Sequence, residues 1–210
     1  MSNFAHALNL ATDLAAFMFP DVSDNRRTGS TELATLQRNF KNQELARLRG
    51  HASNPQYTLM LMKQKKYVFR KETKLRRDVV NYGQAVFEKG DTGNCHEIAC
   101  AGAYLLSRRY DVDDWDLIIY PDYDHVFLAI GDTGGYPDDF NAWPADTAIF
   151  DGWAQIACEV RHYKVKWAAK MNDWTASSHP VELPSISTFG FGDATGWRPV
   201  VDAPKASFFA

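Results

Sequence analysis

Apolar residues near the start of the chain recur every three or four positions. Phe4, Leu8, Ala11, Leu14, Ala15 and Met18 form the stripe, Ser2 stands where a helix cap belongs, and Pro20 ends the pattern. That spacing predicts a helix over Ser2–Phe19. A polar link from Asp21 to Gly29 follows. Leu33, Leu36, Phe40, Leu45 and Leu48 then line a second predicted helix, Ser30–Arg49, with Gly50 just past its end. After a loop at Asn54-Pro55, Thr58–Lys89 reads as helical with one break, closed by Gly90. Past Arg109 the pattern changes. WDLIIY (Trp115–Tyr120) and HVFLAI (His125–Ile130) are strand runs stopped by Pro121 and Gly131, and Thr147–Phe150 is a short third strand. Gln155–Lys170 fits strand or helix. The tail from His179 to Ala210 is rich in Pro, Gly, Ser and Thr and reads as long loops with an edge strand. Helices first and strands second predict an α+β architecture, with a helical N-terminal half packed on an antiparallel sheet.

Composition changes this picture little. Hydrophobic residues make up 45% of the 210 positions, charged residues 23% and aromatics 13%. That is the balance of a globular chain with ample material for a core. No apolar run approaches the roughly 18–20 residues that cross a bilayer. The N-terminus lacks the pattern of a secretory signal. The expectation is a protein that stays in the cytoplasm of the producing cell or leaves it by a specialised secretion system. Three cysteines do not make a disulfide framework, so free thiols are expected. Cys95, His96 and Cys100 match no zinc spacing, so no metal and no cofactor are expected.

Charge is unevenly spread. Lys63, Lys65, Lys66, Arg70, Lys71, Lys74, Arg76 and Arg77 face one acid, Glu72, within a single stretch. The stretch carries +7 out of a chain total of −3, leaving −10 elsewhere. A solvated helix face is one reading of it and a contact for an acidic partner the other. No nucleic-acid motif accompanies it.

The chemistry concentrates at TGNCHEIACAGAYLL, beginning at Thr92. Asn94 with Glu97 three residues on is an N-cap and capping-box pattern. Cys95 is then the first helical residue, where the helix dipole favours a thiolate and backbone N–H groups can hold an oxyanion. The small residues Ala99, Ala101, Gly102 and Ala103 suit close approach of this helix to a sheet. The alternative is a well-capped core helix with a buried thiol. A thiolate needs a base, and the base an orienting group. His125 opens an apolar strand, with Phe127 and Ala129 on its face. Asp151 ends another short strand, followed by a turn glycine and Trp153. His96 points about 100° from Cys95 around the helix and is a poor base, and Cys100 at about 140° is a poor disulfide partner. His162 lies amid charge. Asp122 and Asp124 are too near His125 in sequence to reach its ring easily, which leaves Asp146 as the rival to Asp151.

The motifs G-N-C-H-E-x-A, D-H-V-F and D-G-W, spread over Gly93–Trp153, resemble those of the papain-like and transglutaminase-like cysteine enzymes, above all the compact bacterial effectors and toxins among them. The resemblance implies a papain-like or transglutaminase-like fold and one catalytic domain over 1–210. Residues 1–57 would be a helical extension or lid and 58–210 the Cys-His-Asp core. It implies Cys95 as nucleophile, His125 as base and acid, and Asp151 as orienting residue. It further implies an acyl-thioester formed from a protein amide, as in a glutamine deamidase or a cysteine protease, with transglutaminase and acyltransferase chemistry as alternatives. The family often shows D-P-W where this chain has Asp151-Gly152-Trp153. Many papain-like members carry an oxyanion glutamine shortly before the cysteine, whereas Gln84 lies further upstream. Asn94, the Cys95 backbone N–H and Gln84 are the oxyanion candidates. Trp143 and Trp153 are cleft candidates, with the loops at Gly134-Gly135 and Phe189–Phe191. A binding module that uses 63–77 is the non-enzymatic alternative.

Overall fold

The computed structural model describes residues 1–18, 43–51, 53–54, 73–89, 93–120, 125–133, 140–176, 181–182 and 197–198. The expectations for 19–42, for most of the 63–77 stretch, for Asp122 and Asp124, and for the loops at 134–135 and 189–191 fall outside them.

Four α-helices carry most of the described helical residues: α1 (Asn3–Asp13), α2 (Thr73–Lys89), α3 (Cys95–Arg108) and α4 (Val160–Ala176). Residues 43–49 are also helical. Strands β1 (Trp115–Tyr120), β2 (His125–Ile130), β3 (Ala148–Asp151) and β4 (Ile156–Glu159) form one antiparallel sheet in chain order. Two short strands, β5 (Val181–Glu182) and β6 (Trp197–Arg198), pair separately. The chain is therefore α+β, with a helical front and an antiparallel sheet behind it.

The first helix is shorter than its pattern predicts. Ser2 caps it, its hydroxyl accepting the Ala5 N–H at 3.2 Å. After Asp13 the backbone tightens into a 3-10 turn, Ala15–Met18. Its buried face is Ala7, Leu10, Leu14 and Phe17, while Phe4 and Leu8 face outward. The true stripe is rotated from the predicted one because small Ala7, between His6 and the larger Leu8, does not stand out by size. This helix packs against β2, β3 and β4 and against α3. Residues 43–49 add Leu45 and Leu48 to the buried set.

The central helix is α3, buried along nearly its whole length. Its small residues permit that. A Cβ on Gly102 would stand 2.6 Å from Leu128 Cδ1, and one on the facing Gly83 of α2 only 1.9 Å from the Cys100 carbonyl oxygen. Thus α3 lies between α2 and the sheet, at distances only glycine allows. Every β2 residue is buried, which marks a strand covered on both faces. Leu128 and its partner Phe150 face α3 at Gly102. Phe127 faces Tyr163 of α4, on the other side.

The ambiguous 155–170 segment is both things in turn: β4 runs directly into α4. A tight turn at Asp151–Gln155, with Gln155 at φ 60°, reverses the chain between β3 and β4. The third strand is shifted one residue from its predicted span and takes in Asp151. Within the basic stretch, Arg76 is half-buried and bonded to the start of β1. Its guanidinium lies 3.9 Å from the Trp115 ring centre and donates to the carbonyls of Trp115 and Asp113 at 2.7 and 2.5 Å. That residue is engaged by the fold rather than offered to an acidic partner.

Candidate active site

The site forms where the start of α3 meets the open end of the sheet. Asn94 adopts an extended backbone before α3 begins. Its N–H donates to the Glu97 carboxylate at 3.0 Å, the capping-box half that fixes the chain direction into the helix. The intrahelical ladder starts with Ile98 N–H to Asn94 O at 2.9 Å. Cys95 therefore occupies the first turn, ahead of the ladder, where the dipole's positive end lies. It is 9% exposed.

His125 opens β2 opposite Tyr120 of β1. Its Nε2 lies 2.7 Å from Asp151 Oδ2. The Cys95 thiol is within hydrogen-bonding reach of the same ring. With Nε2 engaged by Asp151, Nδ1 is the nitrogen left to exchange a proton with the thiol. Register explains the pairing of His125 with Asp151: continued toward its open end, β2–β3 pairing sets Asp151 across from Phe127, on the face that His125 shares.

Burial alone would strip the proton from this imidazole. The Asp151 carboxylate, and then the Cys95 sulfur, outweigh that and raise its pKa above the ordinary 6.5. Asp151 is itself fully buried and held from two further sides. Tyr163 donates its hydroxyl to Oδ2 at 2.5 Å, and the Ala154 N–H donates to Oδ1 at 3.0 Å. Aromatic rings enclose the imidazole. Trp167 lies 4.9 Å away between ring centres, Trp153 5.4 Å in an edge-on arrangement, and Phe127 5.8 Å. Such a wall lowers the local dielectric and offers π faces and edges to the ring.

Burial dominates at the other two thiols. Burial, then Glu97 and Cys95, push Cys100 well above the ordinary cysteine value. Burial pushes Cys158 up to about 12. Neither is suited to act as a thiolate near neutral pH.

Several sequence candidates land elsewhere. Gln84 is exposed on α2 and donates to Glu88 at 2.9 Å, so it is not an oxyanion donor here. A helix one turn upstream of the loop at Gly93 carries it outward. Asn94 and the Cys95 N–H remain at the site. Trp153 lies against His125, whereas Trp143 packs on Phe140 at 4.7 Å, and Phe140 in turn on Phe127 and Tyr163. Trp143 thus sits in the aromatic layer behind the site. His96 is buried, stacked on Tyr82 at 5.6 Å, with Nε2 3.4 Å from Asn54 Oδ1. His162 is largely exposed beside Glu159. Asp146 is exposed in the turn before β3, where its carbonyl accepts from Asn3 at 3.0 Å. Gly152 has a packing reason of its own, since a Cβ there would stand 2.3 Å from Ile98 Cγ2 of α3. The turn that follows Asp151 must press on the helix that carries Cys95, and glycine permits it.

Tyr163 and Trp167 are parts of the site that the sequence pattern did not mark. Val160, Tyr163 and Trp167 follow one another at helical spacing, a signal hidden by the charges between them. Among the described residues, no group of three or more His, Cys, Asp or Glu side chains is arranged to hold a metal, and no helix is long and apolar enough to cross a membrane. Comparison with family models, with curated proteins and with solved structures finds no match to this chain.

Proposed function

We propose that this protein is a thiol-dependent hydrolase of the papain-like or transglutaminase-like kind, acting on a protein amide as a glutamine deamidase or a cysteine protease. A bacterial effector or toxin is the setting the motif resemblance favours. The observation that carries the reading is the continuous chain from the Cys95 thiol through the His125 ring to a buried, doubly anchored Asp151.

In this reading Cys95 transfers its proton to His125 Nδ1. The sulfur attacks the amide carbonyl carbon, and the C–S bond forms as the carbonyl oxygen becomes an oxyanion beside the N–H groups of the first α3 turn. The C–N bond then breaks as the imidazolium returns its proton to the leaving nitrogen. Ammonia leaves from a glutamine side chain, or a new amino terminus from a peptide. Water, deprotonated by the imidazole, cleaves the thioester to a carboxylic acid and restores the thiol. Asp151 stays ionised and holds the ring orientation throughout.

The test is iodoacetamide labelling against pH, read by mass spectrometry at each cysteine. Cys95 is expected to label rapidly below pH 7, to lose that reactivity in His125→Ala, and to outpace Cys100 and Cys158 throughout. Labelling of Cys95 no faster than of the other two would return it to the core as an ordinary buried thiol.

A further inference from the structure

The carboxylate that caps the Cys95 helix does not stand alone. Glu97 is fully buried two residues from Cys95. Its Oε1 accepts Arg49 Nε at 2.9 Å, its Oε2 accepts a second guanidinium nitrogen at 3.4 Å, and the Tyr82 hydroxyl lies 3.4 Å from Oε1. Arg49 ends the helical residues 43–49 and reaches α3 across 48 positions of sequence. Its own carbonyl accepts the Asn54 side chain at 2.6 Å, and Asn54 also meets His96. Burial opposes the ionisation of Glu97. Arg49 first, then His96 and the Asn94 N–H, hold its pKa down at about 2. The groups around this carboxylate include Arg49 from 43–49, Tyr82 from α2, and Asn94, His96 and Cys100 from α3 and its cap.

We infer that Arg49 is a positioning residue for Cys95, acting through Glu97: it holds the capping carboxylate against the Asn94 N–H and cancels a buried negative charge beside the nucleophile. A lone buried carboxylate so close would oppose formation of a thiolate. Arg49 thereby makes the helical residues 43–49 a working part of the reactive centre. The inference rests on the thiol-enzyme reading above and specifies what supports its nucleophile.

The experiment repeats the iodoacetamide pH series on full-length wild type, Arg49→Lys, Arg49→Met, Glu97→Gln and the Arg49→Met/Glu97→Gln double variant, with circular dichroism and thermal unfolding on each. Arg49→Met is expected to move the Cys95 labelling profile to higher pH by about one unit, so that labelling on the acid limb of the profile slows by roughly tenfold. Arg49→Lys keeps a cation there and should stay close to wild type. Glu97→Gln removes the negative charge and keeps the Arg49 cation, so it should move the profile to lower pH, while the double variant, which removes both charges, should return toward wild type. A folded Arg49→Met with a wild-type rate and profile overturns the inference. If Arg49→Met does not fold, Glu97→Gln is compared with the double variant, and identical profiles overturn it equally. Should wild-type Cys95 label rapidly and depend on His125 while the Arg49 series does not move, only this inference falls. Should wild-type Cys95 fail to outpace Cys100 and Cys158, the thiol-enzyme reading falls and takes this inference with it.

Discussion

Asp151 takes three hydrogen bonds on two oxygens, and Oδ2 alone serves both the His125 ring and the Tyr163 hydroxyl. A buried carboxylate with so many donors is fixed in direction. Tyr163 therefore does more than fill the aromatic layer. Removal of its hydroxyl by Tyr163→Phe takes one donor from a buried charge, a loss of about 1.5–3 kcal/mol for a hydrogen bond of this type. Urea denaturation should show that loss. With Oδ2 no longer shared, its bond to His125 strengthens, so the imidazolium should persist to higher pH, which NMR titration of the His125 ring would detect. An unchanged titration would reduce Tyr163 to a packing residue.

Between elements, the contacts around α3 are set by glycines at two unlike surfaces. At Gly83 the obstacle to a Cβ is backbone, the Cys100 carbonyl at 1.9 Å. At Gly102 it is the tip of a side chain, Leu128 Cδ1 at 2.6 Å. Backbone cannot turn aside without moving a helix, whereas a leucine tip can rotate at some cost in packing. Gly83→Ala should therefore destabilise more than Gly102→Ala, each by at least the roughly 1–3 kcal/mol typical of overpacking. Chemical denaturation of the two variants gives the ranking. The reverse order would mean that the α2–α3 contact relaxes more easily than the α3–sheet contact. The same close approach places Gly152 against Ile98, so the turn after Asp151 and the start of α3 are held as one unit.

Across the whole molecule, two buried charged groups frame stability against pH. Glu97 has a folded pKa near 2, below its ordinary 4.5. Its contribution is complete above 4.5 and is lost as pH falls through about 2. His125 is shifted the other way, above 6.5. Its contribution is complete below 6.5 and fades as pH rises through the folded value. These two groups together predict greatest thermal stability between about pH 4.5 and 6.5. Glu97→Gln should flatten the acid side of the melting-temperature profile and His125→Gln the alkaline side. A Glu97→Gln profile with the full wild-type acid slope would assign that slope to other carboxylates.

Local pattern and tertiary contact divided the work in this protein. Consecutive residues were enough to fix whatever depends on neighbours within a few positions. That includes the helix caps at Ser2 and at Asn94 with Glu97, the strand runs WDLIIY and HVFLAI, the small residues of α3, and the placing of Cys95, His125 and Asp151 at the ends of their elements. Propensity, capping and alternation are short-range physics, and they are written in consecutive residues. Which of those ends meet was set by packing between distant elements. The β2–β3 register set Asp151, not Asp146, on the face of His125. The outward face of α2 took Gln84 away from the site. The docking of α4 brought Tyr163 and Trp167 to the Asp151–His125 pair, and Arg49 reached Glu97 from the far side of a long stretch of chain. These contacts join residues 12 to 48 positions apart. No local pattern encodes them, because their energy appears only when separate elements share one buried space.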